Sequence, residues 1–178
     1  KLQLRHHQNE DKIKISGSLP YFLNGQSFYS NLGETRKAIA KISEVIDLDI
    51  LDGIAEKFDF GTVIHTAASP SSVFQNHVCL DHFFIRIFKN GKFFMDPLWM
   101  LKLSDAEQEL LTGVKKEVQN QLWQKGIYDP SFSAIKFEVR YRDPSLYFDR
   151  PIKIAYIIED TFNDLLEAEL EEQYSRIE

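Results

Sequence analysis

The stretch that decides the fold covers residues 81–99 and reads DHFFIRIFKNGKFFMDPLW. It contains two runs rich in aromatic and branched side chains, and the pair Asn90-Gly91 separates them. Such runs favour strands, and Asn-Gly is typical of a tight hairpin turn. We therefore predict an antiparallel hairpin with one strand over residues 78–88 and a second over residues 92–96.

Helical patterns lie on both sides of this hairpin. Apolar residues recur every three or four positions in residues 34–46, which predicts an amphipathic helix. Ser104 and Glu107 match a capping box, so we predict a helix that begins at Ser104 and ends near residue 125. The other predicted elements are a short helix over residues 49–57, strands over residues 12–16, 62–67, 134–142 and 151–158, and a terminal helix over residues 161–177. This order predicts an α+β fold in which N-terminal helices pack on a mainly antiparallel sheet, with an extra C-terminal helix.

The composition fits a single domain over residues 1–178. Hydrophobic residues make up 43% of the chain and aromatic residues 13%, which is enough to bury a core. The length suits one domain of ordinary size. The lone cysteine, Cys79, excludes an internal disulfide framework and a zinc site built mainly of thiolates.

The charge distribution excludes two classes of partner. There are 21 basic and 27 acidic residues, and no basic stripe of the kind that binds nucleic acid. No apolar stretch approaches the ~18 residues of a membrane span, and no signal peptide is visible. We expect a cytoplasmic protein, or one delivered to a host cytoplasm if it is a bacterial effector. The charged face of the acidic terminal helix is typical of a solvated surface, whereas its apolar stripe, if exposed, would suit a basic protein partner.

His82 and Asp96 stand at hairpin spacing, and the turn length decides whether they can meet. A two-residue Asn-Gly loop would place them on opposite faces of the hairpin. A three-residue loop would set Phe88 opposite Lys92, and would bring His82 and Asp96 to one face on a diagonal that a hydrogen bond can span. We predict the three-residue, bulged turn. Asp96 would then orient His82, as in the supporting half of a nucleophilic triad.

These residues resemble those of the transglutaminase-like proteins, within the wider papain-like cysteine protease and protein-glutamine deamidase group. The first core strand would be the run Gly61-Thr-Val-Ile-His-Thr, and Asp96 is followed by Pro97 and Trp99 as in that family. The resemblance implies a papain/transglutaminase-like catalytic core over residues 18–100. It also implies that His82 and Asp96 belong to a catalytic triad.

The family's cysteine nucleophile is missing from its expected place. It should precede His82 at a helix N-terminus, where the dipole lowers the thiol pKa. The best substitute is Ser27, with Ser30 and Ser43 as alternatives, and the resemblance implies that the neighbouring Gln26 side chain helps to stabilise an oxyanion. Ser27 is an engineered replacement of a cysteine, a natural serine, or no nucleophile at all.

Two other candidate sites are weaker. Cys79 lies three residues before His82 on one predicted strand, so the two side chains would point to opposite faces. We therefore predict that Cys79 is a core residue. The group of His77, Asp81, His82 and Asp96 matches no metal-binding spacing. We therefore predict no metal and no cofactor.

Two functions follow as hypotheses. The first is a thiol enzyme that acts on protein amide groups, as a hydrolase of the thiol protease or deamidase type or as a transglutaminase. The second is a catalytically inactive α+β binding module, or a pseudoenzyme, that engages a protein partner. The sequence leaves the substrate and the oligomeric state open.

Overall fold

A five-stranded antiparallel sheet forms the centre of the protein. The computed structural model describes residues 2–7, 12–78 and 84–177. In chain order its elements are β1 (Gln3–His7), β2 (Lys12–Ser16), α1 (Leu19–Asn24), α2 (Leu32–Ile46), β3 (Phe58–Thr66), α3 (Pro70–Asn76), β4 (Phe84–Phe88), β5 (Gly91–Met95), β6 (Trp99–Asp105), α4 (Ala106–Gly113), α5 (Lys116–Gln124), β7 (Ser133–Tyr141), α6 (Pro144–Tyr147), α7 (Ile154–Ile157) and α8 (Asp160–Ser175). The strand order in the sheet is β3-β7-β6-β5-β4, and β1 and β2 form a separate antiparallel pair. The predicted α+β class is confirmed.

One face of the sheet carries the main apolar core. Alternate residues of β6 and β7 point to this face, including Leu101, Phe137 and Tyr141, and all three are almost completely buried. Helix α8 covers them with Phe162 and with residues one and two turns further on. This repeat of four residues keeps the apolar side chains of the helix on one stripe. Burying each large side chain of this kind contributes roughly 1.5–3 kcal/mol.

The opposite face carries a charged ladder. Arg140 donates two hydrogen bonds to Asp59, which is its direct neighbour across the β3–β7 pair. Glu138 lies between the ammonium groups of Lys102 and Lys136, at 3.1 and 2.7 Å. Burial by itself would raise the pKa of Glu138, but the two ammonium groups outweigh it and hold that pKa below its ordinary value.

The hairpin is present, but its predicted turn is wrong. Phe88 pairs with Gly91 rather than with Lys92, so the loop consists of two residues, Lys89 and Asn90. Gly91 is needed inside the strand, because a Cβ there would lie 2.5 Å from the carbonyl oxygen of Leu103 on β6. The observed pairing also places Met95, and not Asp96, opposite Phe84, so the register that would have brought Asp96 to the face of His82 does not form.

The helix after β6 begins two residues later than predicted. Asp105 is its N-cap, and the carboxylate accepts a 2.9 Å hydrogen bond from the backbone of Gln108. Ser104 instead ends up in β6, opposite Gly91 and Lys136, where its buried hydroxyl has no partner in the described chain. The predicted capping box is therefore wrong, because strand pairing extends through Asp105. The helix also breaks into α4 and α5 after Gly113.

Two further predicted elements do not form, and the two segments instead bond to each other through their backbones. Residues 49–57 contain turns rather than a helix, and residues 151–158 contain the short helix α7 rather than a strand. The backbone of Ala55 donates to the carbonyl of Ile152, and that of Ile154 donates to Gly53, both at 2.8 Å. These tertiary hydrogen bonds replace the local bonds of the predicted helix.

Candidate functional site

Ser27 lies in the loop between α1 and α2 and not at the start of a helix. The N-cap of α2 is Asn31, four positions further on, and it accepts a hydrogen bond from the backbone of Glu34. The helix dipole therefore acts at Asn31 rather than at Ser27. Of the two alternatives, Ser30 is exposed in the same loop and Ser43 lies inside α2.

Gln26 has a structural role in this loop. Its side chain is 2% exposed, its Nε2 donates to the carbonyl of Tyr29 at 2.7 Å, and its Oε1 accepts from the backbone of Tyr29 at 2.8 Å. Both ends of the amide are thus used to close the loop. As placed here, the amide donor is directed at the protein backbone rather than at an oxyanion.

Asp96 holds the tight turn between β5 and β6. Its backbone donates to the carbonyl of Trp99 at 3.0 Å, and its side chain accepts from the backbone of Leu98 at 2.9 Å. A carboxylate that bonds the backbone two residues ahead, just before proline, is a common turn device. This geometry assigns Asp96 a local role in the turn.

The structure does not bring Ser27 and Asp96 together. Ser27 lines a narrow crevice with Ala106, which follows the last residue of β6, whereas Asp96 bonds to Trp99, the first residue of β6. Seven residues at ~3.3 Å each separate the two ends of this strand by roughly 20 Å. One imidazole cannot bridge that gap, because each hydrogen bond spans only about 3 Å. His82 and Cys79 lie outside the described residues.

A polar cavity of about 180 Å³ lies on the other side of the same loop. Gln26 and Glu34 line it from the loop and from α2, and Gln121 and Lys125 line it from α5. It contains neither Ser27 nor Asp96, so it does not unite the predicted triad. Among the described residues, no group of three or more histidine, cysteine or acidic side chains could hold a metal ion.

The surface that sequence reasoning missed is the edge strand β4. All five of its residues are exposed, and Phe84 and Ile87 are 77% and 76% exposed. β5 pairs with one side of β4, and no strand pairs with its other side within the described ranges. We call the five residues of β4 the edge site. Its apolar run lacks polar alternation, which is typical of a central buried strand, so the sequence pattern held no signal that this strand lies at an edge.

The two faces of the edge site have different neighbours. Phe84, Arg86 and Phe88 share a face with the half-buried Phe93 and Met95, and Phe88 lies 4.5 Å from Phe93 between ring centroids. Ile85 and Ile87 lie on the other face of β4, the face that carries the main core on the neighbouring strands, but both isoleucines are exposed. Aromatic side chains around an arginine are the composition typical of binding hot spots.

Positive charge surrounds this strand. Arg86 and Lys89 are exposed on the hairpin, and residues 84–95 contain no acidic residue. Lys92, directly opposite Ile87, is buried, and its ammonium group donates to the carbonyls of Phe74 and His77 at 3.2 and 2.6 Å. The hairpin is thus basic within a chain whose net charge is −6.

Comparison with known proteins adds no relative. No family model, no curated protein and no solved structure matches this chain. No helix in the described part of the chain is long and apolar enough to cross a membrane. The fold and the site together define an α+β protein with an open, apolar and basic sheet edge.

Proposed function

We propose that this protein is a protein-binding module, and that it captures an extended segment of a partner as an additional strand beside β4. The exposed apolar edge strand is the observation that carries this proposal. An edge of this kind presents unpaired backbone donors and acceptors. Of the devices by which proteins usually protect such an edge, β4 has one charged residue, Arg86, and neither a proline nor a bulge. Strand addition to an open sheet edge is a recurring mode of peptide recognition.

The exposed side chains can supply the affinity. Fully burying a phenylalanine or isoleucine contributes roughly 1.5–3 kcal/mol, so covering the exposed three quarters of Phe84 and Ile87 recovers about 1–2 kcal/mol each. Backbone hydrogen bonds to the added strand would contribute roughly 0.5–1.5 kcal/mol each. These gains must offset the cost of ordering the partner segment, so we expect a moderate affinity.

The thiol-enzyme hypothesis remains a prediction that the site geometry does not favour. Ser27 lies far from Asp96, and the Gln26 amide is already bonded on both sides. The binding-module hypothesis needs neither of these residues in a catalytic role. It uses a surface that the described chain leaves open.

The proposal is tested by selecting peptides from a random displayed library against the full chain. Ile87→Lys places a charge on an exposed apolar position of the edge site, and Val45→Lys, on the similarly exposed surface of α2, is the matched control. We expect the selected peptides to lose binding to Ile87→Lys and to keep it with Val45→Lys. Circular dichroism of both variants would verify that the fold is retained.

Chemical-shift mapping of a selected peptide gives an independent readout. We expect the shifted backbone amides to lie in β4 and β5. Peptides that bind Ile87→Lys as well as the parent protein, or shifts that centre on another surface, would refute the proposal.

A further inference from the structure

The edge site has positive charge on both of its faces. Arg86 is exposed between Phe84 and Phe88 on one face. On the other face Lys92 pairs with Ile87 across the hairpin, and the hydrogen bonds of its ammonium group in the described chain go to neutral main-chain carbonyls. Carbonyl oxygens solvate an ammonium group without cancelling its net charge. A strand added beside β4 would therefore lie next to a hairpin whose residues 84–95 carry three cations and no carboxylate.

The geometry of strand addition makes this charge selective. In an antiparallel pair, directly opposed side chains stand about 4.5–5.5 Å apart at Cβ, and opposite charges there stabilise the pair while like charges destabilise it. The residue opposite Arg86 is within reach of its guanidinium group, and the residues two positions away would face Phe84 and Phe88. The favoured partner strand has a carboxylate opposite Arg86 and apolar side chains two positions before and two positions after it.

A second copy of this chain fits the edge site less well. Symmetric pairing of β4 with itself about Arg86 would set two arginines directly opposite each other. Any shifted register still brings together two hairpins that each carry three cations and no acid over residues 84–95. Like-charge juxtaposition of this kind opposes self-association.

We infer that the occupant of the edge site is an acidic extended segment of a partner protein, with a carboxylate opposite Arg86 and apolar residues flanking it. This inference rests on the proposed strand-addition function and specifies the chemistry of the partner. Arg86 and the apolar side chains that would contact the partner belong to the same five residues.

The test compares two short fluorescent peptides that differ at one position: in both, valine stands two positions before and two positions after a central residue, which is glutamate in the acidic peptide and lysine in the basic one. Fluorescence anisotropy is measured with the full chain, with Arg86→Glu, and with Lys37→Glu as a matched charge reversal on the exposed surface of α2. We expect the acidic peptide to bind the parent protein about tenfold more tightly than the basic one. Arg86→Glu should abolish or reverse this preference, and Lys37→Glu should change it less than about twofold.

The salt dependence is a second readout. Raising the salt concentration from roughly 0.05 to roughly 0.5 M should reduce the preference for the acidic peptide, because the Debye screening length falls to a few ångströms. The Ile87→Lys substitution, in contrast, should weaken the binding of both peptides at either salt concentration.

The outcomes separate this inference from the function on which it rests. If both peptides bind equally well and both lose binding in Ile87→Lys, the inference of an acidic partner is overturned, whereas the proposed strand addition is supported. If sedimentation shows a dimer and Ile87→Lys dissociates that dimer, the inference of an acidic partner is overturned, because the occupant is a second copy of this chain. Binding of neither peptide by a monomeric protein would overturn both proposals.

Discussion

The substitution Gly61→Ala tests how β3 and β7 fit together. A Cβ at Gly61 would lie 2.2 Å from the carbonyl oxygen of Phe137 and 2.8 Å from Cγ of Glu138. Because ordinary contacts of a Cβ begin near 3.4 Å, the two backbones would have to separate by about 1 Å. The strands pair through nine residues, and Gly61 lies in the middle of that ladder.

The expected loss of stability follows from this displacement. Overpacking of a well-packed site costs about 1–3 kcal/mol, and each weakened backbone hydrogen bond adds roughly 0.5–1.5 kcal/mol. With one or two such bonds weakened, the free energy of unfolding should fall by about 1.5–6 kcal/mol. This is a large share of the 5–15 kcal/mol typical of a folded protein.

The assay is urea denaturation followed by circular dichroism, with Gly113→Ala as the matched control. Gly113 ends α4, and a Cβ there would meet no atom within 4 Å, so alanine should be neutral or stabilise by up to ~1 kcal/mol. If Gly61→Ala lost less than about 1 kcal/mol, the close approach of the two strands would not be a structural requirement and the reasoning would be refuted.

Two further predictions concern the end of β6 and the charged ladder. Asp105→Ala should lower the free energy of unfolding in urea by about 1 kcal/mol, because α4 loses its N-cap. Ser104→Ala should lower it less or even raise it, because the buried hydroxyl of Ser104 has no partner in the described chain. An equal loss in both variants would contradict the assignment of Asp105 as the cap. Glu138→Gln should cost roughly 2 kcal/mol at neutral pH, because Lys102 and Lys136 lose their shared carboxylate in a largely buried setting. Since the folded state lowers the pKa of Glu138, its contribution is complete above the ordinary carboxyl pKa and is lost as the pH falls through the folded value. The difference in unfolding free energy between Glu138→Gln and the parent protein should therefore shrink below roughly pH 4, and a difference that stays constant with pH would count against the ladder.

Local patterns were sufficient to predict much of the secondary structure. The apolar repeat in residues 34–46 corresponds to α2, and the one at the end of the chain corresponds to α8. The runs on either side of Asn90 form the strands β4 and β5. These elements depend on side chains three or four positions apart, or on a tight turn, so a single sequence contains the information.

The candidate site depended on information that local patterns lack. Ser27 and Asp96 each have plausible neighbours in the sequence, but their separation is set by the length of β6, to whose opposite ends they pack. The observed hairpin register brings Gly91 against the carbonyl oxygen of Leu103 on β6, a contact that no pattern within the hairpin reveals. Residues far apart in the chain decide both features.

The sequence by itself determined that residues 84–88 form an apolar strand with a positive charge at its centre. Only the tertiary structure decided that this strand lies at the edge of the sheet, with β5 on one side and no strand of the described chain on the other. The physical reason is that strand propensity depends on the side chains of the strand, whereas strand order depends on which distant segments pair with it. The same five residues would form part of a core in the middle of a sheet, and here they form a candidate binding surface.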